Sequence, residues 1–200
     1  METDFNSLDL NKTYSYADYL TWRFKERLEL IKGKIFKMSP APAREHQSIS
    51  GALFSEFRTY LKRKSCKVYH APFDVRLPKK EKEPEDKVYT VVQPDIVVVC
   101  DQKKLDSKGC LGAPDLIIEI LSPATAAKDT KDKFQLYQES GVKEYWMVYP
   151  GEKLIEVFKL DETGKYQLED KYNRSESIQV GLLGDLKIEL IDIFEEEFLD

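Results

Sequence analysis

Between positions 44 and 61 the chain reads REHQSISGALFSEFRTYL, with Ile49, Leu53, Phe57, Tyr60 and Leu61 at helical spacing. That single apolar stripe predicts one long helix packed along one face. Two other stretches, QPDIVVVC (93–100) and APDLIIEIL (113–121), are almost continuously apolar. Runs of that kind belong to strands covered on both faces, so they predict the centre of a sheet. VYHAPFDVRL (68–77) and EYWMVYP (144–150) predict further strands, and LIEVFKL (154–160), KYQLEDKY (165–172) and SIQV (177–180) follow in hairpin order. Before them, LELIKGKIFKMS reads as two short strands turning at Lys32-Gly33, where glycine permits a positive φ. Ser15 can cap a short helix through Tyr19, Leu20 and Trp22. A third helix, from about 128 to 139, follows the SPAT turn and stops at Gly141, and the short acidic run IDIFEEEFLD comes last.

The segment 77–90 is charged, holds two prolines and reads as an exposed loop, but strand-like sequence flanks it on both sides. A domain boundary there is not expected. Residues 1–200 therefore read as one domain of α/β class, a mixed sheet flanked by helices with additional C-terminal β-hairpins.

Composition narrows the function. Apolar residues make up 42% and charged residues 34% of 200, enough for a core and against global disorder. Cys66, Cys100 and Cys110 are odd in number and lie 34 and 10 apart, which suits neither a disulfide framework nor paired CxxC zinc knuckles. Only His46 and His70 are present, so a histidine-rich metal site is excluded. The N-terminus lacks a basic start and an apolar run, so the expectation is a cytoplasmic protein with reduced thiols and no membrane partner. The 31 lysines and arginines against 36 acids leave a net charge of −5, which on its face opposes polyanion binding. By region the objection weakens. Residues 44–87 hold eleven basic against seven acidic residues, a net of +4 that includes Lys62, Arg63, Lys64 and Lys67, whereas 144–200 hold six against fifteen, a net of −9.

There is no GxSxG elbow, GxxxxGK phosphate loop, GxGxxG turn or HExxH. What remains is acidic. Asp95 heads one buried strand, Glu119 lies toward the end of another, and carboxylates are expensive to desolvate unless paired or bound to a cation. A shared Mg²⁺ would satisfy both, and strand ends open to solvent would satisfy them equally. Asp115 competes for the same role, but at ~3.3 Å per residue it stands about 13 Å from Glu119 along one strand, so it better marks the strand entrance. Lys133 lies four residues after Asp129 and four before Tyr137, placing the three on one helix face. That face makes either an exposed ion pair or a lysine turned toward the strand ends. His46, at the start of the long helix, is either half-buried and hydrogen-bonded or in contact with a phosphate. Glu29 is a third carboxylate near the pair or a surface residue.

The runs QPDIVVV, GAPDLIIEILSPAT, KDTKDKFQLYQESGVKEYW and LELIKGKIFKMSPAP with His46 resemble, in that combination, the large bacterial family of restriction-endonuclease-like proteins sometimes called Uma-two. The resemblance covers about Tyr14 to Leu160. It implies the fold of the PD-(D/E)xK nuclease superfamily, a restriction-endonuclease-like mixed sheet flanked by helices, whose members hydrolyse phosphodiester bonds with Mg²⁺. Carried over, it makes Asp95 and Glu119 the acidic metal ligands together with the backbone carbonyl of Ile120. The superfamily lysine is expected two residues after the glutamate, where this chain has Leu121. Lys133, in Asp129-x3-Lys133-x3-Tyr137, matches the arrangement in which that lysine has moved onto the following helix. Glu29 and His46 match recurrent family positions with roles left open. The implied activity is a Mg²⁺-dependent, or Mn²⁺-dependent, endonuclease acting on DNA. The alternatives are a nuclease frame that binds nucleic acid or a protein without cutting, and a metal protein with another phosphoester substrate. A two-fold homodimer is an expectation from symmetry alone.

Overall fold

The structure, a computed structural model, describes residues 5, 8–23, 26–38, 43–80, 83–122 and 126–194, with the backbone alone for 126–130. In chain order the elements begin with helix α1 (Tyr16–Tyr19), strands β1 (Leu28–Ile31) and β2 (Lys34–Lys37), and helix α2 (Arg44–Tyr60). Strands β3 (Lys67–His70), β4 (Val75–Arg76), β5 (Val91–Val92), β6 (Ile96–Val99), β7 (Leu105–Asp106), β8 (Gly109–Leu111) and β9 (Leu116–Ile120) follow. Helix α3 (Ala126–Ser140) leads to β10 (Glu144–Tyr149), β11 (Leu154–Leu160), β12 (Tyr166–Asn173), β13 (Ser177–Gln179), β14 (Lys187–Glu189) and helix α4 (Leu190–Ile193).

The apolar runs at 93–100 and 113–121 do become the antiparallel neighbours β6 and β9, with β10 parallel to β9 on its other side. Strand alternation sends their side chains to two different cores. Ile96, Val98, Leu116, Ile118, Ile120, Trp146 and Val148 pack against Ile49, Leu53 and Phe57 of α2. Val97, Val99, Ile117, Tyr145 and Met147 pack with Leu136 and Tyr137 of α3 and with Val75, Val92 and Cys110. Those last three belong to a second sheet. The sheets run β12-β11-β10-β9-β6-β3 and β2-β1-β5-β4-β8-β7, and β13 and β14 form a small hairpin. The fold is thus the mixed α/β arrangement expected, with two six-stranded sheets where the sequence pattern suggested one.

Two expectations are corrected. The stretch 68–77 is two strands in different sheets, β3 and β4, separated at the cis Ala71-Pro72 bond. Pro72 has no N–H for a ladder, so the chain leaves one sheet there and enters the other. Cys66 and Cys100 are also joined as a disulfide rather than free, while Cys110 is a buried free thiol. Their 34-residue separation hid the pairing. Antiparallel β3 and β6 set Lys67 opposite Val99, so the next pair outward is Cys66 and Cys100.

Local signals account for the remaining boundaries. Ser15 caps α1 through a reciprocal pair with Asp18. Gly33 turns β1 into β2 at φ +78°, and a side chain there would also collide with Thr13. Of the acidic C-terminal run, 191–193 belong to α4 and 195–200 lie outside the described residues. Among the described residues no helix is long and apolar enough to cross a membrane.

Candidate active site

Register brings the two acidic residues together. β6 and β9 pair Ile96 with Ile118, so one step further out Asp95 faces Glu119 across neighbouring strands. Asp95 is held by its place in Gln93-Pro94-Asp95, the segment that carries the chain from β5 of one sheet to β6 of the other. Its carbonyl accepts from Ala71 N at 3.1 Å, and its Oδ2 accepts from the backbone N–H of Ile120 at 2.8 Å.

Glu119 shares the sheet face with Ile117, under α3. Tyr137 donates its hydroxyl to Glu119 Oε1 at 2.6 Å, and Lys133 Nζ donates to the same oxygen at 3.0 Å. Lys133 also donates to Glu29 Oε1 at 3.2 Å, and that oxygen accepts from Gln93 N at 2.8 Å. Lys133 and Tyr137 lie one helical turn apart, which is why one helix face delivers both. The face is turned inward. Only 9% of Lys133 is exposed, so the surface-pair account of this lysine does not hold. The side chain of Asp129, on the preceding turn, lies outside the described residues.

His46 reaches the site from the first turn of α2, with Nε2 3.3 Å from Asp95 Oδ2. Its Nδ1 is buried with no hydrogen-bond partner among the described residues. Leu121, at the position where the superfamily has its lysine, is buried in the apolar core beneath α3. Asp115 is at the opposite end of β9, bound to Lys143 and to the backbone N–H of Cys100.

Burial pushes the Glu119 carboxyl up to about 7, against the pull of Lys133, with Asp95 and Glu29 adding to the rise. Burial works the other way on Lys133, but the two carboxylates hold its ammonium charged. For His46, desolvation is outweighed by Asp95, so the ring is more basic than usual. The hydroxyl of Tyr137 is pushed well up by burial and by Glu119, so it remains a donor. Glu29 and Glu119 therefore share one ammonium, and Asp95 has an imidazole. Among the described residues no three His, Cys, Asp or Glu side chains enclose a cation position by themselves. Mg²⁺ is commonly held by one or two carboxylates, with water and substrate phosphate completing its shell, so the donor set of Asp95, Glu119 and the Ile120 carbonyl is of the right chemistry.

Two residues here went unnoticed in the sequence. Gln93 accepts two hydrogen bonds from Arg27 on Oε1 and donates through Nε2 to Asp74 and Tyr19. The available signal was position: Gln93 directly precedes the Pro-Asp pair, and Arg27 stands two residues before Glu29.

The family model described as "Putative restriction endonuclease", Uma2, matches residues 16–190. The chain belongs to the Uma2 family. The motif-order resemblance is therefore borne out over a longer span than the motifs themselves cover. An uncharacterised protein of Synechocystis sp. is 26% identical to this Uma2 chain over 173 residues, 85% of this chain and 86% of the relative. Among solved structures, that of "a putative nuclease belonging to DUF820" from Anabaena variabilis matches with a TM-score of 0.68 at 20% identity. The match covers 90% of this chain and 97% of that one, so the two share a fold.

Proposed function

We propose that this Uma2 protein is a Mg²⁺-dependent endonuclease that hydrolyses DNA phosphodiester bonds, with Mn²⁺ able to substitute. One observation carries the reading. Asp95 and Glu119 face each other at a sheet end, and a buried lysine from the next helix lies 3.0 Å from Glu119. Asp95, Glu119 and the Ile120 carbonyl would hold the ion. Its chemistry when bound is Lewis-acid activation of water and neutralisation of charge on the phosphate.

The chain's own groups do the rest. Lys133 is anchored between two carboxylates and directs a positive charge toward the place where the phosphate gains negative charge. Glu29 keeps that ammonium from swinging away, and its own carboxylate is fixed by Gln93 N–H. Tyr137 holds Glu119 in one rotamer. His46 restrains Asp95 from the other side of the sheet. The positions of Lys133 and Leu121 support a lysine displaced onto the helix.

The second reading, a nuclease frame that binds without cutting, is favoured by the cationic partner that each carboxylate already has, His46 for Asp95 and Lys133 for Glu119. Plasmid cleavage in Mg²⁺ or Mn²⁺ separates the two. The nuclease reading expects nicking that disappears in Asp95→Asn, Glu119→Gln and Lys133→Met, three changes that keep side-chain shape. Cleavage surviving in the triple variant would be contamination and would end the proposal. Calorimetry is the companion test, and Mn²⁺ binding that persists in Asp95→Asn would favour the non-cutting binder.

A further inference from the structure

The basic cluster that offsets the net charge is not at the site. Lys62, Arg63, Lys64 and Lys67 follow the C-terminal end of α2, whereas His46 is in its first turn, and 17 residues at ~1.5 Å each span roughly 25 Å. Lys64 lies over the Tyr60 ring and Lys67 caps the Lys64 carbonyl. A phosphate at the carboxylate pair needs a cation closer by.

Arg27 is such a cation. It is exposed, and it precedes Glu29 by two residues, so the two share one side of the β1 segment. Its Nε and Nη2 both donate to Gln93 Oε1, at 3.2 and 2.9 Å. The backbone N–H of Gln93 in turn holds Glu29, and Glu29 holds Lys133. Arg27 is therefore tied to the site through two residues. Among the described residues it makes no ion pair.

The arrangement keeps the guanidinium unneutralised although a carboxylate is near. Asp74 is satisfied by neutral donors, with Gln93 Nε2 at 2.8 Å and the hydroxyls of Tyr16 and Tyr19 both at 3.5 Å. The Gln93 amide stands between Asp74 and Arg27. Arginine only donates and a carboxylate only accepts, so the amide orientation follows from its two neighbours. The result is a cation restrained along one edge, with its Nη1 edge unused among the described residues. A planar guanidinium presented in that way suits a phosphate oxygen pair.

We infer that Arg27 is the residue that clamps a backbone phosphate of the nucleic acid at the mouth of the Asp95–Glu119 site, with Gln93 as its positioning residue. The inference rests on the nuclease reading for its substrate. The test uses a fluorescent duplex oligonucleotide, with binding followed by anisotropy across a salt series without divalent ion, and plasmid cleavage in Mn²⁺. Arg27→Ala should weaken binding about 10-fold or more and flatten the log K against log salt slope by about one phosphate contact. Arg27→Lys should restore the slope and only part of the cleavage, since an ammonium lacks the fork. Wild-type affinity and slope in Arg27→Ala would overturn the inference and leave the nuclease reading standing. Wild-type binding without cutting, with the slope still lost in Arg27→Ala, would overturn that reading and support the clamp. A wild-type chain that neither binds nor cuts overturns both.

Discussion

Asp115 and Glu119 are buried carboxylates at opposite ends of β9, Asp115 directly before the strand and Glu119 inside its last residues, and each has a lysine partner. Their lysines differ. Lys143, beside Asp115, has 65% of its side chain exposed, while Lys133 is buried with Glu119 and must serve Glu29 as well. Burial tends to raise the Asp115 carboxyl, but the bonds from Lys143 and Cys100 N–H outweigh it and hold that group below its usual value. At Glu119 burial prevails and the carboxyl rises. At the Asp115 end a buried carboxylate is bridged to a lysine that lies in solvent. The Glu119 end concentrates negative charge where water is scarce, an environment typical of chemical sites.

The comparison is most easily broken at the two lysines. Lys133→Met removes the one ammonium shared by two buried carboxylates and should cost about 3–5 kcal/mol in urea unfolding. Lys143→Ala should cost less than about 1 kcal/mol, because its charge is screened by solvent. Equal losses would mean that the two ends are electrostatically alike. Next in size, Tyr137→Phe deprives Glu119 of a charge-assisted hydrogen bond and should destabilise by about 1.5–3 kcal/mol, with cleavage falling alongside. Loss of stability with cleavage per folded molecule unchanged would make Tyr137 a packing residue only.

The smallest effect concerns acid. Because the folded Asp115 carboxyl is held below its unfolded value of 3.8, its contribution is present above that pH and disappears as pH falls through the lower folded value. Acid unfolding of Asp115→Asn should therefore depend less steeply on pH below about 4 than that of the wild type, while cleavage at neutral pH stays intact. An unchanged acid limb would show that Asp115 contributes nothing through its charge. Lost cleavage would move Asp115 into the site.

How much was legible depended on range. Helix α2 was readable from Ile49, Leu53 and Phe57, since one face of a helix is written at fixed spacing. β6 and β9 were readable because strands buried on both faces must be apolar throughout. The second sheet was not, beyond its β1-β2 hairpin. β4, β5 and β7 hold two residues each and β8 three, too few to show a period, and only their partners define them. Lys133 illustrates the limit within the site. Spacing placed it with Tyr137 on a helix face, but whether that face met water or Glu119 depended on how α3 sat on the sheet.

The sequence carried the family, the order of the longer elements, the apolar centre of the sheet and the acidic residues available for a site. Those are local properties, or orders of motifs along one line. Tertiary structure alone decided that Asp95 faces Glu119, that one lysine serves two carboxylates, that Cys66 meets Cys100, and that Gln93 separates Arg27 from Asp74. Each of these is a contact between residues distant in the chain. Such contacts are set by strand register and by the seating of helices on sheets, which minimise exposed apolar surface over the whole molecule and leave no mark at a fixed spacing.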